Sequence, residues 1–150
     1  MKNKNIAIAV LSLILLFIAC MTWEYYNINK VKEDLKLRDK LIGVVKVSEQ
    51  IEISKVTDFD WDKLYVFTPH AEASKVLRSD NITNSNFTYN IEHDDTINMI
   101  AFIKDNKLVS YRNISRSDFE FEYMEGYKVS KDKAIFDVEK EGSTFLSLKK

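Results

Sequence analysis

The amino-acid sequence predicts an α+β fold: a single membrane helix or signal segment at the amino terminus, then a mainly antiparallel meander sheet with one or two helices packed on one face. Three observations carry this expectation. An uncharged run, "IAIAVLSLILLFIACMTW", fills residues 6–23. Apolar residues at helical spacing follow it directly, and from residue 97 onward short apolar segments recur between turn signals, as strands of an antiparallel sheet do. The expected divisions are 1–23 for the signal-anchor or lipoprotein signal segment, 24–43 for a juxtamembrane helix and 44–150 for an extracytoplasmic α+β domain.

Composition supports a packed domain. Of 150 residues, 45% are hydrophobic and 30% charged, with three glycines and one proline, which is not the balance of a disordered tail. After the amino-terminal segment about 125 residues remain, the size of one domain. Without Lys2 and Lys4 the chain carries 20 basic against 23 acidic residues. Nucleic acid is therefore not an expected partner, because it asks for a basic stripe. Cys20 is the only cysteine, so neither an intramolecular disulfide nor a multi-cysteine zinc site can form, and no cofactor is expected.

Taken in order, "MKNKN" places two lysines before the uncharged run. Eighteen residues at a helical rise span about 27 Å, close to the thickness of a bilayer's hydrocarbon core. As a signal anchor, the run keeps its basic end in the cytoplasm and sets Trp23, Tyr25 and Tyr26 as an interfacial aromatic belt. A second reading takes "LFIAC" as a lipoprotein box, with Ala19 before a lipidated Cys20 and Phe17 where leucine is usual. A third is an ordinary cleaved signal peptide. All three engage the membrane through residues 6–23 and put the domain outside the cytoplasm.

From Ile28 to Ile42 the apolar residues Ile28, Val31, Leu35 and Ile42 fall on one helical face. Asp34 and Arg38, four apart, suit an ion pair, and Gly43 reads as a stop. In "VVKVSEQIEIS", Ile51 and Ile53 alternate with Glu52 as in a short strand. "WDKLYVF" is the first clear strand; Pro69 ends it, and "AEASKVLRS" is a short helix whose first turn tolerates the proline. "DNITNSNFTYN" is a polar loop. Strands follow in "INMIAFIKD", "KLVSYRNIS", "DFEFEYM", "YKVS", "KAIFDVEK" and "TFLSLKK", broken at Asp105-Asn106, Glu125-Gly126, Lys131-Asp132 and Glu141-Gly142. Connections this short join antiparallel neighbours. "INMIAFI" is apolar on both faces, as a central strand is. Phe119, Phe121 and Tyr123 instead alternate with Asp118, Glu120 and Glu122, as on a half-wetted sheet.

The densest chemistry lies in "DFDWDKLYVFTPH", residues 58–70. On an extended chain Asp58, Asp60 and Asp62 share one face, and Phe59, Trp61, Tyr65 and Phe67 the other. Three carboxylates at this spacing are candidate metal ligands, but a calcium-binding EF-hand would need Gly and Glu where Lys63 and Pro69 stand. The aromatic stripe reads as a core layer, giving Trp61, Phe59, Tyr65, Phe67 and Pro69 structural parts. His70 follows a strand and precedes a helix, a common place for a catalytic group. No Gly-x-Ser-x-Gly elbow accompanies it, and no residue is assigned as catalytic. His93 lies in "EHDD" beside Glu92, Asp94 and Asp95, where a solvated loop accounts for the same residues. Glu120 and Glu122 resemble a glycosidase carboxylate pair, though a hairpin would set Arg112 opposite Glu120 as an ion-pair partner. The triplets at Asn81, Asn86 and Asn113 fit the glycosylation pattern, which is silent in a bacterium.

The stretch "TDFDWDKLYVFTPHAEASKVL" resembles a pattern in small uncharacterised membrane-anchored or lipoprotein-like proteins of bacteria, in which an acidic-aromatic "WDK" strand ends in a Pro-Tyr pair before a short helix. The resemblance covers about 20 residues and the secreted layout, and His70 stands here where the tyrosine would be. It implies structural parts for Trp61 and Asp62 and no activity.

The expected function is that of a membrane-anchored, non-catalytic binding or interaction module of the bacterial envelope, with an envelope protein as partner. Two alternatives stay open. One is a cation-dependent or carbohydrate-active enzyme using Asp58, Asp60 and Asp62 near Trp61; the other is an immunity-type protein that intercepts a toxin.

Overall fold

A computed structural model describes residues 2–28, 31, 33–84, 91–124 and 127–149, with residues 2–9 and 25–28 described by backbone alone. The triplet at Asn86, the Glu125-Gly126 break and the side chains of Tyr25, Tyr26 and Ile28 lie outside that description. The chain divides into two compact units, residues 1–30 and 31–150.

The first unit is helix α1, Lys2–Ile28. Its successive apolar residues Val10, Leu11, Leu13, Ile14, Leu15, Leu16, Phe17 and Ile18 are all exposed, so apolar surface surrounds the helix and does not form one stripe. Residues 10–24, the part with described side chains, span only about 22 Å. Among the described residues no helix is long and apolar enough to cross a membrane.

The second unit begins with helix α2, Leu35–Val47. Asp34 caps it, its Oδ1 accepting from the backbone N–H groups of Lys36 and Leu37 at 3.1 and 3.2 Å. That use of Asp34 displaces the expected pair with Arg38, whose guanidinium reaches Asp118 at 2.7 Å instead. The continuous juxtamembrane helix of 24–43 is replaced by two helices, and the buried face is Leu37, Leu41 and Val45, with Leu35 exposed. Gly43 lies inside α2 and does not end it.

Then come β1 (Gln50–Glu52), the one-turn helix α3 (Ile53–Val56), β2 (Lys63–Phe67) and helix α4 (Ala73–Ser79). Pro69 does not enter α4. It sits in the turn closed by Ala71 N–H to Thr68 O at 3.2 Å, with His70 at φ +66°. The remaining strands are β3 (Ile97–Lys104), β4 (Lys107–Ser115), β5 (Glu120–Phe121), β6 (Lys128–Ser130), β7 (Ile135–Glu141) and β8 (Ser143–Leu148). Asp105 and Asn106, both at positive φ, make the two-residue turn of the β3–β4 hairpin, the geometry that matches strand twist.

These strands form two sheets in place of the expected single meander. The central sheet has the order β4-β3-β2-β6, and the outer sheet β1-β7-β8-β5. Hairpins β3–β4 and β7–β8 are local, but β6 returns to β2, β1 reaches across to β7, and β5 joins β8 in parallel. The physical cause is the two-faced apolarity of β2 and β3, which one layer of helices cannot cover. One face of the central sheet, with Leu64, Val66, Ile100 and Phe102, packs with Leu37 and Leu41 of α2 and with Phe121, Phe136, Val138 and Leu146 of the outer sheet. The other, with Tyr65, Phe67, Met99 and Ala101, packs with Ala73 and Leu77 of α4 and with Ile82 and Ile91. "DFEFEYM" is strand only at Glu120–Phe121.

The open edge of β4 is covered by the segment entering α2. Asp34 N–H donates to Tyr111 O, Asn113 N–H to Glu33 Oε1, and Arg112 pairs with Glu33 at 2.9 Å. Arg112 therefore does not face Glu120 as the sequence suggested; Arg116 takes Glu120 at 2.6 Å.

Candidate functional site

The run 58–67 does not keep one parity, because β2 starts only at Lys63. Trp61 is fully buried with Leu64 and Val66 between the sheets, and Phe59 packs against the same cluster. Both rings meet Phe102 edge-on, at 5.1 Å for Phe59 and 5.3 Å for Trp61. Tyr65 and Phe67 point through the opposite face of the central sheet and stack at 5.9 Å. The shared aromatic face is thus divided between two cores.

Asp60 and Asp62 are brought together and Asp58 turns to α2, and ammonium groups occupy all three. Lys40 reaches Asp58 at 2.7 Å. Lys104 Nζ lies 3.1 Å from Asp60 and 2.9 Å from Asp62, and Lys131 lies 3.2 Å from Asp60 and over the Trp61 ring. Hydrogen bonds from Lys40 to Asp58 and from Lys104 and Lys131 to Asp60 hold those carboxyls below the usual aspartate range. Asp62 is held down first by the backbone N–H of Asp105 and then by Lys104. Bonds to Asp62 and Asp60 raise the Lys104 ammonium in turn. Lys104 thus stands where a bridging cation would, tying the approach to β2 onto the end of β3.

A cleft of about 330 Å³ opens at the far end of β2, lined by Thr68, Pro69, His70, Asp95, Asn98, Arg116, Glu120, Phe121 and Tyr123. His70 holds φ +66° at the third position of its turn, where glycine or asparagine is favoured. Its Nδ1 lies 3.3 Å from Glu92 O. Arg116 is spent within the wall: Nε and Nη2 donate to Glu120 Oε2 and Nη1 to Asp95 O. Asn98, on β3, is only 1% exposed. Its carboxamide makes one long bond, Nδ2 to Phe119 O at 3.5 Å, and among the described residues its Oδ1 accepts none. Such an amide beside an open cleft is a ready acceptor.

A second hollow of about 440 Å³ shares Phe121 and Tyr123 with the first and continues over Glu122, Glu139, Phe145 and Ser147. It lies on the solvent face of the outer sheet, where register sets Asp137 beside Ser147, Glu139 beside Phe145, and Phe145 beside Glu120. By strand alternation that face carries Glu52, Glu120, Asp137, Glu139 and Glu141, continued by Glu122 beyond β5 and by Lys149 beyond β8, where the Lys149 N–H donates to Ile135 O. Lys140, on the other parity, reaches back to Lys46 O and Ser48 O. Tyr123 and Phe145 stay 63% and 39% exposed among these carboxylates.

Of the residues singled out by the sequence, the structure brings His70, Asp95, Glu120 and Glu122 to this cleft and hollow. His93 is exposed on a 3-10 turn over Ile91–His93 and lines neither. Asp94 accepts from Thr96, and no group of three or more metal-ligating residues exists among the described residues. Cys20 is exposed on α1. Asn98, Arg116 and Tyr123 were missed as a site; the only signal for Asn98 was one amide inside the apolar run "INMIAFI". The chain matches no family model, no curated protein and no solved structure.

Proposed function

We propose that the chain is a membrane-anchored module whose folded domain works outside the cytoplasm of a bacterium and binds another envelope component without catalysing a reaction. The observation that carries this reading is α1, whose exposed apolar residues surround the helix from Val10 to Ile18, in a chain whose second unit buries two cores of its own. The cleft supports binding, since its guanidinium is consumed by Glu120 and Asp95 while the Asn98 carboxamide, among the described residues, makes only one long bond.

The reading is tested on full-length chain in its native membranes. It should stay with the membrane after alkaline extraction and be digested by protease added to intact spheroplasts, and crosslinking should recover one stoichiometric protein. Release by alkali together with protection from protease would overturn it. Lipid labelling of wild type but not Cys20→Ser would select lipoprotein over signal anchor. A melting shift with calcium, zinc or magnesium that Asp60→Ala abolishes would favour the cation-dependent enzyme. The acidic sheet face favours a second reading, an immunity-type protein, for which a toxin encoded beside this chain is the expected sign.

A further inference from the structure

We propose that the hollow on the outer sheet and the cleft beside it receive a basic, extended segment of a protein partner. An arginine or lysine head would lie between the Tyr123 and Phe145 rings, against Glu122 and Glu139. The inference rests on the binding-module reading above and adds the chemistry of the partner.

Four observations lead to it. The charged side chains that line the hollow are carboxylates, Glu122 and Glu139, and Lys149, which continues the same face, lies four residues along the chain from Phe145 at the Ile135 end. Glu52 and Glu120 have their own cations in Lys55 and Arg116. Glu122, Asp137, Glu139 and Glu141 have no ion pair among the described residues; Asp137 and Glu139 accept only from Gln50 Nε2 and Ser147 Oγ. Within this face Tyr123 and Phe145 expose large rings, and an aromatic face flanked by carboxylates suits a guanidinium, which stacks on the ring while its N–H groups bond the acids. Independently of the charges, the nearly buried Asn98 lines the adjoining cleft, and among the described residues its carboxamide makes only the long bond from Nδ2 to Phe119 O. Acceptors line both hollows, so the complementary ligand is rich in donors and positive. Finally, β5 ends the outer sheet and pairs with β8 over two residues only, so the hollow sits at the sheet's margin, where an extended chain can lie alongside.

The test uses full-length chain in zwitterionic lipid nanodiscs at low salt, titrated with a heptapeptide of alternating arginine and threonine. A citrulline counterpart keeps the shape without the charge. The expected result is binding of the arginine peptide at least about tenfold tighter than the citrulline peptide. Backbone amide shifts should centre on Glu122, Tyr123, Glu139 and Phe145. Glu122→Gln/Glu139→Gln and, separately, Phe145→Ala should each weaken binding about tenfold with melting unchanged. Asp39→Asn/Asp105→Asn removes the same charge from α2 and the β3–β4 turn and should change binding less than about twofold. Equal binding of the citrulline peptide, equal loss in the control variant or shifts centred elsewhere would each overturn the proposal. Crosslinking in native membranes separates the two readings. A partner recovered equally by wild type and Glu122→Gln/Glu139→Gln overturns this inference and leaves the binding module standing. A wild type that recovers none overturns the module.

Discussion

The indole N–H of Trp61 donates to Thr57 Oγ1 at 2.8 Å, joining a fully buried tryptophan to the residue that ends α3. Trp61→Ala is expected to cost about 3–5 kcal/mol, as large buried aromatics do. Thr57→Val, which leaves the indole N–H buried without an acceptor, is expected to cost about 1–3 kcal/mol. Urea unfolding followed by circular dichroism measures both, and near-wild-type stability of Trp61→Ala would contradict the packing.

Asp80 Oδ2 accepts from Lys128 Nζ at 2.7 Å and from Tyr65 Oη at 2.6 Å. The lysine first and the tyrosine second hold its carboxyl below the ordinary aspartate range. Its folded pKa is the lower one, so its stabilisation is complete above the unfolded value near 3.9 and is lost as pH falls through the folded value. Asp80→Asn is expected to cost about 1–2 kcal/mol at neutral pH, shrinking steadily below pH of about 4. Unfolding curves at several pH values check the trend; a cost that does not change with pH would exclude the charge as its source.

Burial first, and the bond to Asp80 second, raise the Tyr65 phenol above its ordinary value. A raised folded value contributes stability that is present below the unfolded pKa, near 10, and is lost as pH rises through the folded one. Ultraviolet titration of the folded chain should leave a tyrosine un-ionised at pH of about 11. Tyr65→Phe should remove that resistant fraction. Its persistence in the variant would place it on another tyrosine.

The two described glycines should respond oppositely. Gly43 is exposed inside α2 with nothing within 4 Å of an added Cβ, so Gly43→Ala is expected to stabilise by about 0.5–1 kcal/mol. Gly142, in the β7–β8 turn, has equal space but φ +79°, so Gly142→Ala is expected to destabilise by about 1–2 kcal/mol. Thermal melting of both variants decides whether conformation or space governs each site.

His70 occupies a left-handed position at the rim of the cleft. His70→Gly should therefore raise stability by about 0.5–1 kcal/mol. If the imidazole belongs to the binding surface, the same variant should weaken recovery of the crosslinked partner. Stabilisation with unchanged recovery would make the turn purely structural.

Local pattern made several parts legible in advance. The β3–β4 hairpin was readable because Asp105-Asn106 is a turn signal between two apolar runs, and β3 as an inner strand because it is apolar on both parities. The α+β class and the apolar amino-terminal run were determined by the sequence itself, since periodicity and hydropathy act within a few residues. Only the tertiary structure decided the partners. Period-two alternation holds only within a strand, so the irregular approach over 58–62 sent Trp61 into one core and Tyr65 into the other. Asp34 left Arg38 to cap α2, and Arg112 took Glu33 from a segment about 80 residues away. The cleft joins His70, Asn98, Arg116, Glu120 and Tyr123 from three separate stretches of chain. Charge pairing and cavity shape depend on which elements pack together, and no spacing along the chain encodes that packing.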